Sequence, residues 1–254
     1  MREWLGADAF TLSLSAGFFG FFAHAGFLAA LEDEDLLPQQ LSGSSAGALV
    51  AGLWASGRNV RELQSRLFTL QRADFWDPGL GAGLLKGERF QSLLQELLDA
   101  STFEACRAPL HVSTFDLGQR KTVVHRSGAL APAIRASCTL PGLFHPIRID
   151  GRAYVDGGVA DRSGLSGVPS HSRVLYHHLS TRSRWRRFVP RYRGFPARSK
   201  MIPIITPDLP RVGPFHLERG QAAFSTAYDA LKRALDRQLP ALDGRAYELA
   251  RETP

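Results

Sequence analysis

Gly43-Ser44-Ser45-Ala46-Gly47 holds the residues of this chain best suited to covalent chemistry. The pentapeptide fits Gly-x-Ser-x-Gly, in which a serine is presented on a sharp turn between a strand and a helix. Gln39 to Ser42 reads as a short strand after Pro38, and Ala48-Leu49-Val50-Ala51-Gly52-Leu53-Trp54-Ala55 reads as an apolar helix. Gly43 and Gly47 let the two backbones close on each other, and the helix N-terminus offers its amides to a developing negative charge. Ser45 is therefore the candidate nucleophile. The same five residues would also suit an ordinary flexible turn, so their surroundings must decide.

Two further segments supply that context. Phe10-Thr11-Leu12-Ser13-Leu14-Ser15 alternates like a strand, Ala16-Gly17-Phe18-Phe19-Gly20 follows, and Ala23 to Leu31 reads as a buried helix. A glycine turn that opens a helix can aim the backbone amides of Gly17, Phe18, Phe19 and Gly20 at an anionic oxygen, as an oxyanion hole requires. Only about one βα unit precedes Ser45, which does not suit the α/β-hydrolase layout, where several strands come before the elbow. Downstream, Ile147 to Val155 reads as a hairpin closed by Asp150-Gly151, and it delivers Asp156-Gly157-Gly158 at its end.

Taken in order, these motifs resemble the patatin-like phospholipases, whose pattern is a glycine-rich oxyanion loop, a Gly-x-Ser-x-Gly elbow and a later Asp-Gly-Gly or Asp-Gly-Ala. The resemblance runs from Phe10 to Ser163 and includes Ala136-Ser137-Cys138-Thr139-Leu140-Pro141-Gly142-Leu143-Phe144, similar to the family's Ala-Ser-x-x-x-Pro-x-x-Phe stretch. It implies a Ser-Asp dyad, with Ser45 as nucleophile and Asp156 as general base, and with Gly43, Gly47, Gly157 and Gly158 framing them. It implies no metal and no organic cofactor, a lipid ester as substrate, and no catalytic duty for His24, His111, His125 or His145. One departure stands out: the family loop carries Arg or Lys where this chain has Phe19. The backbone donors survive that change, but a cation that would attract an anionic head group is lost.

Length and composition suit one domain, residues 1–254, since 254 residues with 44% apolar content can fill a single core. Cys106 and Cys138 are too few for a disulfide framework and are read as buried thiols in a reducing compartment. His171, His177 and His178 form the densest histidine group, read as surface or strand-end residues without zinc spacing. Ala9 to Leu31 lacks Asp, Glu, Lys and Arg, yet its interruptions by serine and glycine and its change of period favour a buried strand and helix over a leader or a membrane span. A soluble, cytoplasmic protein is expected.

Thr181 to Lys200 carries eight basic residues and no acid, more than the net charge of +7 of the whole chain. Interleaved Trp185, Phe188, Tyr192 and Phe195 suit a membrane interface, where aromatics sit at head-group level and arginines meet anionic lipid. Arg182, Arg184, Trp185, Arg186, Arg187 and Phe188 are thus candidate membrane contacts. No nucleic-acid partner is expected, although such a segment also suits phosphate contacts.

The remaining pattern is α/β. Strands are expected at 10–15, 110–115, 121–125, 173–179 and 201–206, and helices at 23–32, 46–56, 59–71, 87–100, 131–137 and 219–239, with a loop from Asp74 to Gly83. The expected fold is a three-layer α/β/α arrangement with a mostly parallel central sheet. A general carboxylesterase or lysophospholipase would use the same groups, and a catalytically silent membrane-binding protein or a phosphate-binding module would retain only part of them.

Overall fold

The alternation Thr11-Leu12-Ser13-Leu14 sends leucines to one face and hydroxyls to the other. In a computed structural model, which describes residues 1–179, 195–238 and the strand at 247–248, these residues form β1 (Thr11–Leu14), buried on both faces. The chain then runs through α2 (Phe21–Glu32), β2 (Gln40–Ser44), α3 (Ala46–Ala55) and α4 (Val60–Thr69), after a short opening helix α1 (Arg2–Ala7). Next come β3 (Gly83–Leu85), α5 (Glu88–Leu97), β4 (Leu110–Asp116), β5 (Lys121–His125) and α6 (Leu130–Ser137). The strands β6 (Gly142–Phe144), β7 (Ile147–Ile149), β8 (Arg152–Asp156), β9 (Val174–His178), β10 (Met201–Ile205) and β11 (Tyr247–Glu248) follow, with α7 (Gly220–Leu235) ahead of the last.

The main sheet has the order β11-β10-β9-β1-β2-β4-β8-β7, with β5 paired to β4 off that path. From β11 to β4 all neighbours are parallel, while β5, β7 and β8 pair antiparallel. The fold is thus α/β with a mostly parallel, mixed central sheet. The hairpin β7–β8 closes at Asp150-Gly151, as its sequence predicts, with both turn residues at positive φ.

Helix α2 is buried from Phe21 to Leu31, which explains its near-uniform apolar sequence: both its sheet side and its outer side are covered. Its Gly26 lets α7 approach, since a Cβ there would lie 2.1 Å from the Phe224 carbonyl oxygen. Helix α4 follows a different rule, with Val60, Leu63 and Leu67 buried at helical spacing and Asn59 capping it by accepting from the Glu62 amide at 2.9 Å. Leu12, Leu14, Leu41, Val112, Leu175 and Ile202 join these helices in the main core.

The opposite face carries a row of serines. Ser13 of β1 donates to the Ser163 carbonyl at 2.9 Å, Ser42 of β2 donates to the Gly164 carbonyl, and Ser113 of β4 donates to Asp161 Oδ2 at 2.7 Å. Three adjacent strands thereby hold one irregular segment, which also caps a smaller core of Leu165, Val168, Val174, Tyr176 and Met201.

Several expectations need correction. His177 is no surface histidine: it is fully buried, stacked on Phe27 at 4.1 Å, with its Nδ1 2.9 Å from Nδ1 of His24. His24 Nε2 faces the Ser15 carbonyl at 2.8 Å, so it must donate, which makes His24 Nδ1 the acceptor and His177 Nδ1 the donor. Burial holds both rings neutral, with His24 pushed down to about 4 and His177 also lowered. His171 is exposed and His178 half-buried. Both cysteines are free and only partly buried. The expected loop Asp74 to Gly83 ends in β3, which pairs in parallel with β6 as a separate two-stranded sheet.

Candidate active site

Ser45 stands between β2 and α3 with φ 53° and ψ −121°, a conformation that L-residues rarely adopt. The framing glycines are required by contact: a Cβ on Gly43 would lie 2.5 Å from the Gly47 carbonyl carbon, and one on Gly47 would lie 2.0 Å from the Leu14 carbonyl oxygen. The strained turn is tied down from below. The Ser45 amide donates to Ser137 Oγ at 2.8 Å, and the Ser137 hydroxyl donates to the Ser113 carbonyl of β4 at 2.7 Å. Ser137 lies in the Ala136–Phe144 stretch quoted from the sequence, where its type alone gave no hint of this duty.

Sheet register brings the second group to the first. β4 pairs Ser113 with Ser44 on one side and Thr114 with Asp156 on the other, so the ends of β2 and β8 flank the same two residues. The Ser45 hydroxyl donates to Asp156 Oδ2 at 2.6 Å, and the Gly158 amide donates to Asp156 Oδ1 at 2.7 Å. Gly157 has no room for a side chain, since a Cβ would lie 2.1 Å from the Ser113 carbonyl oxygen. Asp156 is buried, and that desolvation pushes its carboxyl up to about 6, against the opposing pull of the Ser45 and Gly158 hydrogen bonds. A carboxylate so placed is a stronger base than a free one and stays ionised at neutral pH. Cys138 sits beside the pair and donates to the Ser45 carbonyl at 3.2 Å; burial and then Asp156 raise its thiol, so it stays protonated.

The glycine turn closes the third side. Gly17, Phe18 and Phe19 line the same cavity as Ser45 and Asp156. The Gly20 amide donates to the Gly17 carbonyl at 3.0 Å, which leaves the amides of Gly17, Phe18 and Phe19 as the candidate donors to an oxyanion. Gly17 and Gly20 lie against Leu179, whose Cδ1 would be 2.6 Å and 2.1 Å from their added Cβ atoms. Phe19, at φ 54°, turns its ring onto Phe21 and Phe75 at 5.5 and 5.7 Å between centroids. The corner that a cation would occupy is therefore an aromatic wall.

Behind the dyad lies a cavity of about 280 Å³. Leu49 and Leu53 of α3, Leu67 of α4, and Phe90, Leu93, Leu94 and Leu97 of α5 form its depth, with Phe75, Leu85 and Phe144 closing it. No histidine is among its described lining residues. The described residues contain no cluster of His, Cys, Asp and Glu able to hold a metal ion. None of the described helices is long and apolar enough to cross a membrane.

A family model described as patatin-like phospholipase matches residues 12–167. The chain belongs to the patatin-like phospholipase family. Within this family of hydrolases it is 32% identical over 153 residues to an uncharacterized NTE family protein of Mycobacterium tuberculosis, covering 59% of this chain and 42% of the relative. It is 27% identical over 169 residues to the neuropathy target esterase sws of Drosophila grimshawi, covering 62% of this chain and 11% of that protein. The chain thus spans less than half of these relatives. Among solved structures, VipD from Legionella pneumophila superposes with a TM-score of 0.64 at 14% identity, over 90% of this chain and 67% of that one, a likeness of fold.

The candidate membrane contacts Arg182, Arg184, Trp185, Arg186, Arg187 and Phe188 lie outside the described residues. At the end of their segment, half-buried Phe195 packs on Tyr176 and His178 at 5.2 and 5.6 Å between centroids. Arg198 is likewise spent on the carbonyls of Leu165, Val168 and Pro169.

Proposed function

We propose that this patatin-like protein hydrolyses fatty-acyl esters of phospholipids or related lipids through an acyl-enzyme on Ser45, with Asp156 as its general base. The observation that carries this reading is the 2.6 Å hydrogen bond from the Ser45 hydroxyl to a buried carboxylate at the head of an apolar cavity. Asp156 takes the serine proton as the oxygen attacks the ester carbonyl, and the amides of Gly17, Phe18 and Phe19 receive the negative charge of the tetrahedral intermediate. Collapse expels the lyso-lipid alkoxide, which takes the proton back from Asp156. Water, deprotonated by the same carboxylate, then cleaves the acyl-enzyme to a fatty acid. The cavity lies just below the usual range for small-ligand pockets, about 300–1,000 Å³, and its apolar lining suits one acyl tail with the head group left outside. That division also suits the loss of a cation at Phe19, since the tail rather than the head group would supply recognition. Incubation with a serine-directed fluorophosphonate, followed by assay of fatty acid release from a lysophospholipid and a diacyl phospholipid, tests the reading. Absence of both labelling and release would leave a non-catalytic lipid-binding protein.

The raised carboxyl sets a pH dependence. Because only ionised Asp156 can accept the proton, kcat/KM on a soluble acyl ester should climb through about pH 6 and level off above it. An inflection near the ordinary aspartate value of 3.8 would mean that the base is not buried in solution.

The arginine-rich segment is proposed to add long-range attraction to anionic bilayers. Replacing Arg182, Arg184, Arg186 and Arg187 together should weaken binding to anionic vesicles at low salt by about 1 kcal/mol per residue. Hydrolysis of a soluble ester should hold. Equal co-sedimentation of parent and four-fold variant would remove the segment from the membrane account.

A further inference from the structure

Eight large apolar side chains are well exposed among the described residues: Phe18, Leu37, Leu80, Leu84, Leu117, Leu140, Val159 and Phe215. Single exposed leucines are ordinary, but a contiguous apolar patch calls for a partner. Six of these eight gather at one place. Phe18, Leu140 and Val159 are themselves part of the cavity wall. Phe215 follows the lining residue Pro214 and packs edge-on against lining Trp76, 5.8 Å between centroids. Leu84 lies in β3, where pairing of Gly83 with Gly142 and of Leu85 with Phe144 sets it opposite lining Leu143. Leu80 belongs to the same turn, closed by the Gly79 amide donating to the Leu84 carbonyl at 3.1 Å.

That turn is built to hold its shape. His145 fills it and Nε2 donates to the carbonyls of Gly83 and Gly79 at 3.0 and 3.3 Å. A Cβ on Gly81 would lie 2.3 Å from the imidazole, so the backbone wraps directly over the ring. The result is a fixed tip on which Leu80 is 102% exposed, without a protein neighbour to shield it. Cations flank the rim: exposed Arg72 lies 4.9 Å from the Phe215 ring centroid, and exposed Lys86 closes the foot of the turn. An apolar ring, edged by cations and continuous with an apolar cavity, matches a bilayer surface in both layers: acyl chains inside, phosphates at the margin.

We propose that this rim is the lipid-docking face, with Leu80 and Leu84 inserted among acyl chains so that the cavity opens directly into the bilayer. The proposal deepens the acyl hydrolase reading and rests on it, and it assigns the insertion to residues separate from the arginine-rich segment. Since apolar insertion is not screened by salt, binding to neutral phosphatidylcholine vesicles should persist at high ionic strength, unlike attraction by exposed arginines.

The test uses the whole chain carrying Ser45→Ala, so that vesicles stay intact and binding is read apart from hydrolysis. Adding Leu80→Asp and Leu84→Asp should weaken co-sedimentation with phosphatidylcholine vesicles about tenfold or more. Leu80→Trp should keep binding and give a vesicle-dependent blue shift in emission over the parent. In the protein with Ser45 intact, the two aspartates should leave turnover of a soluble monomeric ester within about twofold, because both side chains are exposed and neither lines the cavity. Equal vesicle binding by parent and double variant would overturn the proposal, as would unchanged vesicle binding together with loss of self-association, which would make the rim a contact between copies. Intact, Leu80-dependent vesicle binding by a protein that hydrolyses no ester would instead count against the proposed activity alone.

Discussion

Replacing Ser45 by alanine is expected to lower hydrolysis of a p-nitrophenyl acyl ester by on the order of 10⁶-fold, the scale seen when a serine nucleophile is removed, with the fold unchanged. Asp156→Asn should cost about 10²–10⁴-fold, the share of a general base. The aspartate variant carries a second signature that a merely structural residue would lack. Its carboxyl is raised from 3.8 to about 6 by burial, so the folded protein binds that proton more tightly than the unfolded chain. The associated stability is fully present below about 3.8 and is lost as pH rises through about 6, which amounts to about 3 kcal/mol at neutral pH for a shift of about two units. Asparagine carries no charge to desolvate. Asp156→Asn should therefore gain up to about 3 kcal/mol over wild type in urea unfolding at neutral pH, and the gain should vanish in acid. Wild-type turnover in either variant would end the dyad assignment, and a variant less stable than wild type at neutral pH would show that Asp156 is not held at a cost.

Gly47→Ala should be the most damaging single methyl that can be added near the site. Its Cβ would lie 2.0 Å from the Leu14 carbonyl oxygen, a backbone atom in a central strand that has nowhere to retreat. Overpacking of this kind should cost about 3 kcal/mol or more and deliver a poorly soluble protein or a strongly lowered urea midpoint. Gly213→Ala is the matched control, since nothing lies within 4 Å of its added Cβ, and it should stay within about 0.5 kcal/mol of wild type. Similar midpoints for the two variants would mean that strand and helix are further apart in solution than the structure has them.

The parts of the site that could be read from the sequence are those encoded locally. Gly43 to Gly47, Gly17 to Gly20 and the Asp150-Gly151 hairpin each announce a turn by residues whose backbone or packing demands are met within a few positions. Helix and strand limits come out within a few residues for the same reason. What was not legible depends on distant partners. Ser137 shows its role only once α6 lies beneath the elbow, and His177, at the end of β9 as its position suggests, reveals its buried pairing only once His24 is found 2.9 Å away. Pairing of Gly83–Leu85 with Gly142–Phe144 joins two tripeptides that carry no strand period, so β3, which begins where the expected loop ends, was not foreseen. The cavity likewise draws its walls from α3, α4 and α5, whose apolar stripes look alike whether they face a core or a ligand.

The row of Ser13, Ser42 and Ser113 fixes how this protein should fail when heated. Residues 161–164, which follow the aspartate motif, are moored to β1 and β2, which carry the glycine turn and the elbow, and to neighbouring β4. Peeling that segment away would strand three buried hydroxyls, or their partners, inside the protein at about 1–3 kcal/mol each, so local fraying there is suppressed. Backbone amides such as those of Leu165 and Ser166, which donate to buried Asp161, should be among the slow-exchanging set, opening only with the sheet. Thermal inactivation should then be a single event, with turnover and sheet signal disappearing together rather than the site melting first out of an otherwise intact molecule.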